Sequence, residues 1–202
     1  MEREPKKFNS PAPIKVSDSD ADFPQEVAKV VGTDLNACLT CMSCSGGCPM
    51  YQYMDYGPHG IMRLVVLGLK KEALTSNTIW RCLGCHTCAA VCPMAINIAS
   101  VMDYLRQECL DKKLPVGDKP LWEFHRCMMN TARRHGRVAK VELMVEHKIR
   151  TMGLGPKAWF QDTLLGNKML FMHKLHIMPS RVMSSGREAI RKVLDAAPWA
   201  KY

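Results

Sequence analysis

The sequence predicts an all-α chain: a helical domain carrying two cysteine-rich loops, followed by a basic helical extension. Three observations carry this expectation. Ten cysteines lie in the 202 residues, and eight of them fall into two copies of one spacing set 44 residues apart. The segments around those copies show helical periodicity, and strong strand alternation is found nowhere. The charge is lopsided, with 11 Lys/Arg against 12 Asp/Glu in residues 1–112 and 17 against 7 in residues 113–202. A hydrophobic fraction of 47% is enough to build a packed core.

Residues 1–25 contain Pro5, Pro11, Pro13 and Pro24 with an acidic stretch from Asp18 to Asp22, which reads as an extended N-terminal arm. Residues 26–112 form the cysteine-bearing domain. A short helix within Gln25–Ala37 delivers the first loop. After that loop, Pro58 suits a first helical position, and Ile61, Leu64, Val65 and Leu69 follow at helical spacing, with Gly68 weakening the stripe. Thr75-Ser76-Asn77 supplies caps for a short helix, Thr78 to Arg81, that leads into the second loop. Beyond Pro93, a helix from Asn97 to Lys112 places Ile98, Val101, Met102, Leu105 and Cys109 on one face. The loop Leu114–Pro120 then opens the extension, residues 113–202, with helices expected near 120–135, 138–151, 156–177 and 183–196.

The cysteines carry the chemistry. The first set reads Cys38-Leu-Thr-Cys41-Met-Ser-Cys44-Ser-Gly-Gly-Cys48-Pro49, and the second Cys82-Leu-Gly-Cys85-His-Thr-Cys88-Ala-Ala-Val-Cys92-Pro93. Both are C-x2-C-x2-C-x3-C-P, the run that holds 4Fe–4S clusters in two-cluster ferredoxins. Three thiolates two residues apart let one short loop curl around three corners of a cubane, with its N–H groups turned toward the sulfides. The fourth cysteine lies too far along the turn to close the same cube and serves the other one. The expected sites are therefore Cys38, Cys41, Cys44 and Cys92 for cluster 1, and Cys82, Cys85, Cys88 and Cys48 for cluster 2. Structural zinc fits less well, because it favours separated pairs of ligands over three cysteines in one seven-residue loop. Gly46 and Gly47 allow the first loop a close approach. The helical elements between the loops point to a helical ferredoxin domain rather than the small β-rich one.

Other classes find no support. No GxGxxG is present, no triad or paired-carboxylate constellation is apparent, and no run approaches the ~18 apolar residues of a membrane helix. The charged, Pro-rich start lacks the apolar stretch of a secretory signal, so the expected location is cytoplasmic. Cys109 and Cys127 are left over and read as buried, inert thiols, with a redox or ligand role for Cys127 the less favoured alternative. His86, inside the second loop, either tunes a cluster or faces solvent. His59 and His125 read as ordinary helix residues. Arg133, Arg134, Arg137 and Lys140 form a basic patch, either a solvated face or a docking surface for an acidic partner. Nucleic acid is not expected, since the patch lacks interleaved aromatics.

On the two motifs and the Gly57-Pro-His-Gly-Ile-Met-Arg-Leu64 stretch, residues 30–112 resemble the iron–sulfur C subunit of the heterodisulfide reductase family. The resemblance implies an α-helical ferredoxin fold with two 4Fe–4S clusters. It also implies electron transfer, with no catalytic site in this chain, between the family's flavin-containing A subunit and its catalytic B subunit, which bears Cys-Cys-Gly motifs. This chain has no adjacent cysteine pair, no C-x4-C-x2-C of a 2Fe–2S domain and no membrane segment, so it resembles neither a fused C–B protein nor a complete succinate dehydrogenase iron–sulfur subunit. The alternatives are an iron–sulfur subunit of another dehydrogenase or fumarate-reductase-like enzyme, and a nucleic-acid-binding regulatory iron–sulfur protein.

Overall fold

A computed structural model describes residues 19–152, 168, 171–172 and 182–196. Among them every regular element is helical. The chain divides between Asp118 and Lys119 into two compact units.

In the first unit, α1 (Phe23–Val31) starts inside the segment that the sequence assigned to the arm. Phe23 is the reason: with Val27 it is fully buried in the core, so residues 23–25 belong to the domain. Pro24 sits in the first turn, where a missing N–H costs nothing, and Gly32 ends the helix in the left-handed conformation with its N–H on Ala28 O. The rest of the arm, residues 1–18, lies outside the described residues.

The stripe after the first loop forms two helices, α3 (Pro58–Val66) and α4 (Lys70–Thr75). Gly68 divides them with φ +71°. Leu69 N donates to Leu64 O at 2.8 Å and Gly68 N to Val65 O at 2.9 Å, which closes α3 in a Schellman turn. A Cβ at Gly68 would fall 2.3 Å from Asp20 O, so only glycine lets the chain before α1 lie against this turn. Lys70 then links α4 to α1 and to the next long helix, with Glu26 at 2.8 Å and Glu108 at 3.6 Å.

Two single turns, α2 (Ser43–Gly46) and α6 (Thr87–Ala90), sit in the cysteine loops, and α5 (Thr78–Arg81) leads into the second. The last helix of the unit, α7 (Ile98–Asp111), is capped by Asn97, whose Oδ1 accepts from Ser100 N at 3.3 Å. It buries Ile98, Val101, Met102, Leu105 and Cys109 against α1, α4, α5 and α6. The unit runs past residue 112 because Asp118 pairs with Arg81 at 2.8 Å and Gly117 lies against the Thr75–Ser76 backbone.

The second unit packs α8 (Lys119–His135) against α9 (Lys140–Met152) and α10 (Ser184–Ala196). Cys127 and Thr131 are buried on α8. The helix expected at 156–177 lies outside the described residues, except for 168 and 171–172.

Candidate metal centre

The two cysteine loops repeat each other bond for bond at an offset of 44 residues. In the first, Thr40 and Met42 take left-handed φ values of 55° and 63°, and in the second Gly84 and His86 take 63° and 58°. Each loop then enters a helical turn. Ser45 N and Gly46 N donate to Met42 O at 2.9 and 3.1 Å, while Ala89 N and Ala90 N donate to His86 O at 3.0 and 3.1 Å. Cys48 N closes on Ser45 O at 3.2 Å, and Cys92 N on Ala89 O at 3.3 Å. Alternating right- and left-handed residues curl successive N–H groups toward one side, which is how a short backbone segment cradles an anion.

The loops pack on each other through α2 and α6. A Cβ at Gly47 would stand 3.3 Å from the Thr87 methyl, whereas one at Gly46 would meet nothing within 4 Å. Of the two glycines, Gly47 is the one that lets the loops come together.

The eight motif cysteines line two cavities. The first, about 360 Å³ with its open mouth, is lined by Cys38, Cys41, Cys44 and Cys92, together with Leu39, Pro93, Met94, Ile96, Ile98 and His59. The second, about 410 Å³, is lined by Cys48, Cys82, Cys85 and Cys88, together with Pro49, Met50, Met54, Leu83, Ala99 and Met102. In each, three cysteines come from one loop and the fourth from the other. All ten cysteines are free thiols. Among the described residues, no three His, Cys, Asp or Glu side chains converge as a single metal ion requires. The thiols instead surround a volume, and the walls between them are mostly apolar. This donor set suits a cluster, a multi-atom group with its thiolates at separate corners.

Within each cage the cysteines differ. Cys41 Sγ lies 3.3 Å from Ser43 Oγ and Cys85 Sγ lies 3.4 Å from Thr87 Oγ1; these hydroxyls hold both exposed thiols below the ordinary cysteine range. Burial pushes Cys44 and Cys48 up, and Cys88 to about 11. The inner thiols need a bound cation to ionise readily, so occupancy and deprotonation are coupled. Cys109 and Cys127 are buried, which pushes both thiols up, and neither lines a cage.

Sequence reasoning missed the supports behind the loops. Asp55 accepts from Ser76 Oγ at 2.6 Å, Thr78 Oγ1 at 2.6 Å and Asn77 N at 2.8 Å, and so caps α5 from 22 residues away. Burial pushes its carboxyl up, but these donors outweigh burial and hold it below the ordinary value. The cap residues read from the sequence contribute through Ser76 Oγ, which accepts from Thr78 N at 3.1 Å. At the other end of α5, Arg106 from α7 donates to Ile79 O and Cys82 O. No local pattern marks Asp55 or Arg106. His59, read as an ordinary helix residue, lines the first cavity with Nδ1 2.7 Å from Ser45 Oγ. His86 is exposed at the rim of the second.

In the second unit the basic patch is partly neutralised. Arg133 pairs with Asp195 at 2.9 Å, and Arg134 pairs with Glu142 and with Glu146 at 3.4 Å.

Comparison with known proteins gives the cage region relatives. A family model described as a 4Fe-4S dicluster domain matches residues 34–96. The chain is 30% identical over 95 residues to the C subunit of the H(2):CoB-CoM heterodisulfide,ferredoxin reductase of Methanothermobacter marburgensis, covering 47% of this chain and 51% of that one. It is 33% identical over 109 residues to an iron-sulfur C subunit, the one numbered 2, of the CoB--CoM heterodisulfide reductase of Methanocaldococcus jannaschii, covering 50% and 58%. The iron-sulfur C subunit of the Methanopyrus kandleri CoB--CoM heterodisulfide reductase is 31% identical over 101 residues, covering 46% and 53%. The match spans about half the length of these curated relatives. The resemblance to the heterodisulfide reductase C subunit, the all-helical character of the described residues and 4Fe–4S chemistry are thus borne out.

Proposed function

We propose that the first unit is a two-cluster electron relay, with one 4Fe–4S cluster held by Cys38, Cys41, Cys44 and Cys92 and the other by Cys82, Cys85, Cys88 and Cys48. The observation that carries this reading is the grouping of the eight thiols, four to a cavity, each group drawing on both loops. Such a cluster takes up and releases one electron at a time. The chain's own residues fix the cages side by side, wall them with apolar side chains and turn N–H groups inward. Leu39 and Leu83, 65% and 66% exposed, leave an apolar rim at each mouth for a redox partner. The partners this reading carries are those the family resemblance implies: a flavin-bearing A subunit on one side and a Cys-Cys-Gly catalytic B subunit on the other, in a heterodisulfide-reductase-like complex. On this reading the chain is a cytoplasmic electron-transfer subunit whose domain runs from about residue 26 to about 112, with an arm before it and a partner-contacting extension after it. Among the described residues no helix is long and apolar enough to cross a membrane.

Anaerobic iron and sulfide analysis tests the cofactor: about eight of each per chain are expected, and zinc, or far less iron, would refute the reading. Ligand exchange between the loops is tested separately. The EPR signal lost in Cys92→Ala should be the one lost in Cys44→Ala, and Cys48→Ala should match Cys88→Ala. The opposite pairing would show that each loop closes its own cage.

A further inference from the structure

We propose that Ser43 and Thr87 each donate a hydroxyl hydrogen bond to the exposed cysteine sulfur of their own loop, Cys41 and Cys85, and so hold the two clusters at a higher potential than the cages alone would set. The inference rests on the reading that the cavities hold clusters. Ser43 Oγ lies 3.3 Å from Cys41 Sγ, and Thr87 Oγ1 lies 3.4 Å from Cys85 Sγ. The two pairs stand at matching positions of the repeat, 44 residues apart. Ser43 borders the first cavity and Thr87 the second.

A free thiol can itself donate to a hydroxyl oxygen. A ligating cysteine is a thiolate, which has no proton and only accepts. With a cluster in place, the hydroxyl is therefore the donor in both pairs, and a bond to an ionised acceptor is of the stronger kind. The N–H of the same residue also donates to each sulfur, which fixes the residue's backbone beside it. At Thr87 the side chain is held as well. A Cβ at Gly47 would stand 3.3 Å from the Thr87 methyl, so the methyl faces the other loop while the hydroxyl faces Cys85.

Cys41 and Cys85 are the exposed members of the eight. They line the same cavities as Leu39 and Leu83, the apolar rims at which a redox partner would dock. A docked partner strips water from these sulfurs, whereas the hydroxyls belong to the loops and remain as donors. Hydrogen bonds to the sulfurs are among the factors that set a cluster's potential. They strengthen when an added electron makes the sulfur more negative, so they favour the reduced state.

The test uses the full-length chain, reconstituted anaerobically, with EPR-monitored redox titration. In Ser43→Ala, the cluster whose signal disappears in Cys44→Ala should fall in midpoint potential. The reduced-to-oxidised ratio at a fixed potential should drop about fivefold (~41 mV, at 59 mV per tenfold for a one-electron couple), while the other cluster stays in place. Thr87→Val keeps a methyl for Gly47 and removes the hydroxyl, so the fall should be confined to the second cluster. Ser43→Thr and Thr87→Ser keep a hydroxyl and should hold the wild-type potentials. The backbone N–H remains in all four variants, which isolates the side chain.

Unchanged potentials in fully loaded Ser43→Ala and Thr87→Val chains overturn the proposal. So do equal shifts of both clusters, or shifts that the hydroxyl-keeping variants reproduce. Where one variant fails to load its cluster, the other decides. Loss of a cluster in both would make the hydroxyls aids to assembly rather than to potential, and would also overturn it. All of these leave the relay reading intact, whereas a wild-type chain that takes up no iron defeats that reading and this proposal with it.

Discussion

The two cysteine loops share a backbone and differ in what holds them. The first is introduced by a 3-10 turn, Leu35–Ala37, that is capped locally: Asp34 Oδ1 accepts from Asn36 N at 2.9 Å. The second is introduced by α5, whose two ends are secured from elsewhere in the chain, by Asp55 at the start and Arg106 at the finish. The cage geometry is thus written into each twelve-residue motif, while its support is not. The turn that introduces one loop is capped by its immediate neighbour, and the turn that introduces the other by residues 22 to 27 positions away.

The contrast can be broken first at Arg106. Arg106→Met removes two charged donors from the carbonyls of Ile79 and Cys82 and should cost about 2 kcal/mol, read by chemical denaturation. Hydrogen exchange should quicken in residues 78–88 and stay unchanged in residues 35–46. Equal quickening in both loops would show that the supports are shared.

Asp55 sharpens the same contrast at lower cost. Its carboxylate is part-exposed, so water recovers some of the lost bonding, and Asp55→Ala should cost about 1–2 kcal/mol. The sign with pH follows from the lowered carboxyl. The contribution is fully present above the ordinary value of 3.8 and is lost as pH falls through the lower folded value. The Ala variant should therefore lose less stability than wild type between neutral pH and the acid side of 3.8, and parallel acid curves would remove Asp55 from its capping role.

The smallest effect lies in the first loop. Thr40 holds φ 55° where the second loop uses Gly84 at 63°. A β-branched residue is strained there, so Thr40→Gly should stabilise the chain by up to about 1 kcal/mol, less the entropy glycine adds to the unfolded state. A loss of stability instead would mean that Thr40's side-chain contacts outweigh its backbone strain.

Much of this was legible in the sequence because it depends on local pattern. The paired motifs carry the eight cage cysteines, and the helix expected at Asn97–Lys112 appears as Ile98–Asp111 with Asn97 as its cap. In the extension, helices expected at 120–135, 138–151 and 183–196 appear as Lys119–His135, Lys140–Met152 and Ser184–Ala196. Periodicity and cap residues act over a turn or two, which is the range a sequence pattern reads. The break at Gly68 was half visible, as a glycine in an apolar stripe, but the backbone oxygen of Asp20 that makes it necessary lies 48 residues earlier. Asp55, His59 and Arg106 were not visible in their roles. Each acts on a partner brought close only by the fold, and a lone Asp before a turn or a His in a first helical turn has many ordinary explanations. The basic patch shows the same limit, because composition counts charges without their partners: Asp195 meets Arg133 from a helix 62 residues away in sequence.

The crossing of the fourth cysteines has a consequence for ancestry. One copy of the repeat presents three sulfurs to its own hollow and one to its neighbour's, so a single copy by itself completes neither. Two copies that exchange their fourth cysteines complete both at once. The first unit is thus built like two half-sites joined end to end, and joining leaves each half free to differ: His59 reaches one hollow from a helix, His86 the other from the loop itself.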